Sequence, residues 1–113
     1  MTAKQLRQID IDAYRDTASE AALMEMIRRA AILNGWLYYH PHSSKHSTKG
    51  YPDVTLLRDG VLIFAELKTT TGKVSPDQQL WLDDLSHVHK TRSYLWRPKD
   101  AELIVALLQE DTR

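Results

Sequence analysis

The 113-residue chain contains no cysteine, which excludes a disulfide framework and any thiolate-bound metal. It has no apolar run near the roughly 18 residues that a membrane-spanning helix needs, so a membrane partner is not expected. Met1 to Asp16 lacks the basic, apolar, small-residue order of a secretory signal, which makes a cytoplasmic location the expectation. Excess charge is absent too. Fifteen Lys and Arg balance fifteen Asp and Glu, so the protein does not coat nucleic acid by bulk electrostatics. Neither a repeat nor a linker is present, and low complexity is confined to a Ser/His/Lys stretch between Pro41 and Gly50. This length suits one domain.

Distribution of charge says more than its sum. Residues 40–49 and 86–99 carry Lys, Arg and His but no acid, whereas acids gather near both ends of the chain. Such stretches are either solvated surface or phosphate contacts. Lys45 and Lys49 in the first of them, together with Lys73, are the candidate DNA contacts.

Local patterns place the elements. Thr17-Ala18-Ser19-Glu20 reads as a capping box, opening a helix near Ala18 that ends at Asn34-Gly35. On it Glu20, Leu23, Met24, Ile27 and Ala31 share one face, and Glu25, Arg28 and Arg29 another. Trp36 to His40 reads as a short strand. Asp59-Gly60 between Val54-Thr55-Leu56-Leu57 and Val61-Leu62-Ile63-Phe64-Ala65 is a hairpin signal. Ser75-Pro76-Asp77-Gln78 starts a second helix reaching about Ser86, Thr91 to Trp96 is a further strand, and Asp100 is placed to cap a last helix. Trp36, Trp81 and Trp96 read as packing residues rather than base-stacking platforms.

The hairpin folds Asp53 back towards Glu66, and strand alternation puts Glu66 and Lys68 on one side with Leu67 on the other. Two carboxylates and a main-chain carbonyl form a hard-oxygen set that suits Mg²⁺, which keeps several of its own waters. Asp53, Glu66 and the Leu67 carbonyl are the candidate ligands, and Lys68 the group that positions a water or offsets developing charge. Each residue has a plainer reading: Pro52-Asp53 as a turn, Glu66 and Lys68 as a same-face ion pair, Glu20 and Gln78 as capping-box members. Three histidines in the polar loop raise zinc as a lesser alternative.

Gly50-Tyr51-Pro52-Asp53, Glu66-Leu67-Lys68, Gly72-Lys73-Val74-Ser75-Pro76-Asp77-Gln78 with Trp81-Leu82 and Leu85, and Trp96-Arg97-Pro98-Lys99-Asp100 form a set. Together they resemble the virus-type replication-repair nuclease domain, VRR-NUC, of the PD-(D/E)XK nuclease superfamily. The resemblance runs from Ser19 to about Leu108. It implies an α/β, restriction-endonuclease-like core in the order α-β-β-β-α-β-α, with a mixed central sheet flanked by helices, over residues 17–113. Residues 1–16 would then be an N-terminal arm, whose Leu6, Ile9, Ile11 and Tyr14 suit a dimer interface. By position, Asp53, Glu66 and the Leu67 carbonyl become metal ligands, Lys68 the catalytic lysine, Gln78 an orienting residue and Glu20 the acid of the first helix, a place for which Glu25 also competes. The implied activity is Mg²⁺-dependent cleavage of branched DNA, with Mn²⁺ able to substitute, by a homodimer in a bacterial or phage-infected cell. Four-way junctions are one implied substrate, flaps or nicked forms another; no organic cofactor is expected. Two rivals remain: a module that grips branched DNA without cutting it, and a plain interaction domain.

Overall fold

The computed structural model describes residues 19–41 and 48–112. Their backbone runs α1 (Glu20–Leu33), β1 (Leu37–Tyr39), β2 (Val54–Arg58), β3 (Val61–Leu67), α2 (Pro76–Leu85), β4 (Thr91–Trp96), a 3-10 turn (Pro98–Asp100) and α3 (Ala101–Gln109). That is the expected order. The arm at 1–16, Thr17, Lys45 and the loop histidines His42 and His46 lie outside the described residues.

Asp59 and Gly60 both take positive φ, 52° and 76°, as a two-residue hairpin turn of the type I′ kind demands. The turn fixes an antiparallel register from Arg58↔Val61 to Val54↔Ala65. β1 adds antiparallel to β2, and β4 adds parallel to β3 after a crossover through α2, so the sheet is mixed in the order β1-β2-β3-β4.

Alternation along β3 builds three layers. Ile63, Ala65 and Leu67 point into a core with Leu23 and Ile27 of α1 and Ile104 and Leu108 of α3. Leu62, Phe64 and Glu66 take the other face, where Tyr51 bridges Phe64 to Trp81 of α2 through edge-on ring contacts of 6.2 and 5.1 Å. Trp36 and Trp96 are buried in the core, and Trp36 Nε1 donates to the Leu108 carbonyl at 2.9 Å.

Arg58 ties both helix C-termini to the hairpin. Its guanidinium lies 4.3 Å over the Trp36 ring and donates to the carbonyls of Asn34 (2.8 Å), Leu108 (3.0 Å) and Glu110, where a cation also meets the negative helix ends.

Three local expectations are corrected. The cap of α1 is Ser19, whose side chain accepts from Ala22 N at 3.1 Å, so Glu20 is the first helical residue rather than the third of a box begun at Thr17. The strand expected over Trp36–His40 is Leu37–Tyr39 only, and the Trp36 N–H bonds the Ala31 carbonyl of α1 at 2.9 Å instead of a strand. Asp100 does not cap α3 with its side chain; its Oδ2 accepts from Arg97 N at 2.9 Å and closes the 3-10 turn instead.

Gly50 has φ 88°, and a Cβ there would come within 2.6 Å of the Asp77 backbone in the first turn of α2. Gly35 has φ 78° with open space around it. Gly50→Ala should therefore cost ~3 kcal/mol or more and Gly35→Ala only ~1–2 kcal/mol. Urea titrations of both variants, read at equal m, check the ordering; equal losses would contradict it.

Candidate active site

Pro52 is buried and carries the chain into β2, so that Asp53, one step past the last paired residues Val54 and Ala65, stands opposite Glu66. Asp53 Oδ2 accepts the Leu67 backbone N–H at 2.8 Å, which locks the first carboxylate against the strand carrying the second. The close approach of Gly50 to Asp77 fixes the same loop from the side of α2, where Lys49 Nζ also lies 3.4 Å from Asp77 Oδ2.

Glu66 is the buried charge of the described fold, at 3% exposure. Its Oε1 accepts from Gln78 Nε2 at 2.8 Å and faces Lys68 Nζ at 3.7 Å. Gln78 Oε1 meanwhile accepts from Ser75 N at 2.9 Å, and Gln78 N donates to Ser75 Oγ at 3.2 Å. A backbone N–H can only donate, so the amide oxygen must face Ser75 and the NH₂ must face Glu66. One side chain thus performs both roles that its sequence position left open, capping α2 and orienting the acid.

The second Glu66 oxygen, Oε2, is buried without a hydrogen-bond donor. Burial first, then the neighbouring Asp53 carboxylate, push the Glu66 pKa up to about 8, against the opposing pull of Lys68. A buried carboxylate oxygen with no donor beside a second carboxylate is a defect in a protein without cations. It is relieved by a shared proton or by a cation. The residues therefore fit a divalent metal ion.

Glu20 is exposed at the start of α1, and its charge reaches Glu66, adding to the upward push. Glu25 is occupied elsewhere: it bonds Arg28 at 2.8 and 2.9 Å and Arg29 at 3.0 Å, which hold its pKa down to about 2. Among the described residues no three of His, Asp and Glu gather as a metal-holding set, so Asp53 and Glu66 stand as a pair. Asp53, Glu66 and Gln78 line one cleft of about 270 Å³ together with Met24, His40 and Lys49. Lys73 is exposed on the loop after β3.

His40, one of the three histidines weighed for zinc, lines the cleft with Nδ1 3.0 Å from the Pro41 carbonyl. One participant went unread in the sequence. Arg97 bonds the carbonyls of Thr69 and Gly72, each at 2.7 Å, and holds the loop that follows Lys68. These partners are more than twenty residues away in sequence, and only its place in the Trp96-Arg97-Pro98 group hinted at it.

An acid with a higher pKa folded than unfolded keeps its proton longer in the native state. Its stabilising effect is full at pH below the unfolded value and is lost as pH rises towards 8. Thermal unfolding of the metal-free protein should give a midpoint that falls between pH 5 and pH 9, and Mg²⁺ should restore it most at the alkaline end. Glu66→Gln should flatten both trends. A Glu66→Gln protein with the wild-type pH profile would contradict the assignment.

The VRR-NUC domain family model matches residues 4–93. A solved structure described as a VRR_NUC domain superposes with a TM-score of 0.62 over 77% of this chain and 94% of its own, at 19% sequence identity, a likeness of fold. No curated protein matches the sequence. Among the described residues no helix is long and apolar enough to cross a membrane. The chain belongs to the VRR-NUC domain family, whose members are nuclease-type domains acting on DNA.

Proposed function

We propose that this chain is a divalent-metal-dependent endonuclease that hydrolyses phosphodiester bonds in branched DNA, with four-way junctions as the preferred substrate. The observation that carries the reading is the donorless, buried Glu66 Oε2 beside Asp53, within one cleft with Gln78. Asp53 and Glu66 would hold Mg²⁺, or Mn²⁺ in its place, with the Leu67 carbonyl as a further ligand; Glu20, which is not gathered with them here, would join only by turning in from the start of α1. Such an ion, when bound, offsets the charge of the scissile phosphate and acidifies water.

The protein's own groups do the rest. Lys68, at 15% side-chain exposure and 3.7 Å from Glu66 Oε1, offers its ammonium to the attacking water or to the charge that builds on the phosphate. Gln78 keeps Oε1 of Glu66 turned towards the amide, so that Oε2 stays directed at its neighbour. Lys49 lines the cleft and gives it a cationic side for the strand that enters; Lys45, outside the described residues, stays a DNA contact proposed from the sequence alone.

A homodimer is the companion proposal, since two sites related by a two-fold axis match a symmetric junction. It draws support from Leu37 (69% exposed), Tyr39 (61%) and Leu57 (41%), which share a sheet face with Leu62 while α2 packs over β3 and β4. A protein that only gripped DNA would gain nothing from two acids facing a polyanion, which disfavours the binding-module rival.

Labelled linear, flap and four-way-junction DNA, incubated with the protein in Mg²⁺ or in chelator, tests the reading. Cutting should be confined to branched forms and abolished by chelator, and Lys68→Ala should lower the rate ~100-fold or more while retaining DNA binding. Absence of cutting on every substrate in both Mg²⁺ and Mn²⁺, or cutting that persists in chelator, contradicts it.

A further inference from the structure

The loop leaving β3 is held from beneath by one side chain. Arg97 Nη1 donates to the carbonyls of Thr69 (2.7 Å), Gly72 (2.7 Å) and, more loosely, Thr70 (3.4 Å). Among the described residues no carboxylate lies within ion-pairing distance of this guanidinium. Among the described residues its bonds go to carbonyls, while the nearby Asp100 carboxylate accepts from the Arg97 backbone N–H at 2.9 Å instead.

Peptide geometry then settles the outer surface of the loop. In a trans peptide the N–H points opposite to the C=O, and this chain has no cis bonds among its described residues. Turning the Thr70 and Gly72 carbonyls down to Arg97 turns the Thr71 and Lys73 N–H groups outward. Gly72 N–H points inward instead, to Thr69 O at 3.3 Å and Thr69 Oγ1 at 3.1 Å. Thr71 and Lys73 are exposed. The loop also lies against the candidate catalytic lysine: a Cβ on Gly72 would sit 3.4 Å from Lys68 Cδ.

Outward N–H groups, a threonine hydroxyl and a lysine ammonium over a guanidinium that bonds backbone carbonyls make a surface complementary to phosphate. The surface is open rather than enclosed, which fits a phosphate of a passing strand better than a small free anion. We infer that Thr71–Lys73 is a phosphodiester-binding element, gripping the DNA backbone beside the Asp53–Glu66 cleft, and that Arg97 is the positioning residue that shapes it. The inference rests on DNA being the substrate, as proposed above.

Binding of labelled four-way-junction DNA to the full chain, with Ca²⁺ replacing Mg²⁺ and NaCl varied from about 50 to 200 mM, tests it. Lys73→Gln should weaken binding roughly three- to tenfold and lower the log–log salt slope by about one. Arg97→Lys keeps the charge but cannot span separated carbonyls; it should weaken binding to a similar extent, and adding Lys73→Gln to it should cost less than in the wild type. If Arg97→Lys fails to fold, the exposed Lys73→Gln decides alone. Unchanged affinity and slope in Lys73→Gln would overturn the inference. Wild-type protein that cuts DNA while Lys73→Gln binds like the wild type sinks this inference alone. Wild-type protein that never cuts, yet shows the Lys73-dependent slope, sinks the nuclease reading and leaves the binding element standing.

Discussion

A carboxylate kept almost entirely from water, with a second carboxylate opposite and one oxygen lacking any donor, sets the terms for the rest of this molecule. Glu66 is placed there by alternation: it takes the same face of β3 as Leu62 and Phe64, and α2 covers that face. An apolar residue at position 66 would suit this buried face better. An acid there makes sense when a cation shares the site, because the cost of burial is then offset by ligation.

Gln78 links that site to the fold. The amide that terminates Ser75's box also bonds Glu66, so the start of α2 and the orientation of the acid are one structural event. Asp53 is coupled to the sheet in a similar way through the Leu67 N–H, and the loop bearing it is wedged at Gly50 against α2. The sheet, the crossover helix and the acid pair therefore fold together rather than as a scaffold with side chains added.

Local chemistry was legible from sequence where a few adjacent residues decide it. Asp59-Gly60 announces its hairpin, Ser75-Pro76-Asp77-Gln78 its helix start, and Thr91 to Trp96 its strand, and each stands where expected. The pairing of Asp53 with Glu66 followed from the hairpin register alone. The helix start at Ser19 was misread because Thr17 and Ser19 are both good caps, and only backbone geometry separates them. Arg58 and Arg97 were illegible for a different reason. Their partners are backbone carbonyls 24 to 52 and 25 to 28 residues away, and a carbonyl acceptor leaves no mark on residue identity. Gly50 belongs to the same class: its need for glycine arises from Asp77, which is distant in sequence and close in space.

The central claim is that Asp53 and Glu66 share a cation. Crystals of the protein soaked in Mn²⁺ and measured at the manganese absorption edge test it most directly. The account predicts an anomalous peak within coordination distance of both carboxylates, with Glu66 Oε2 among its ligands. A well-ordered site with both carboxylates in place and no peak between them would contradict it.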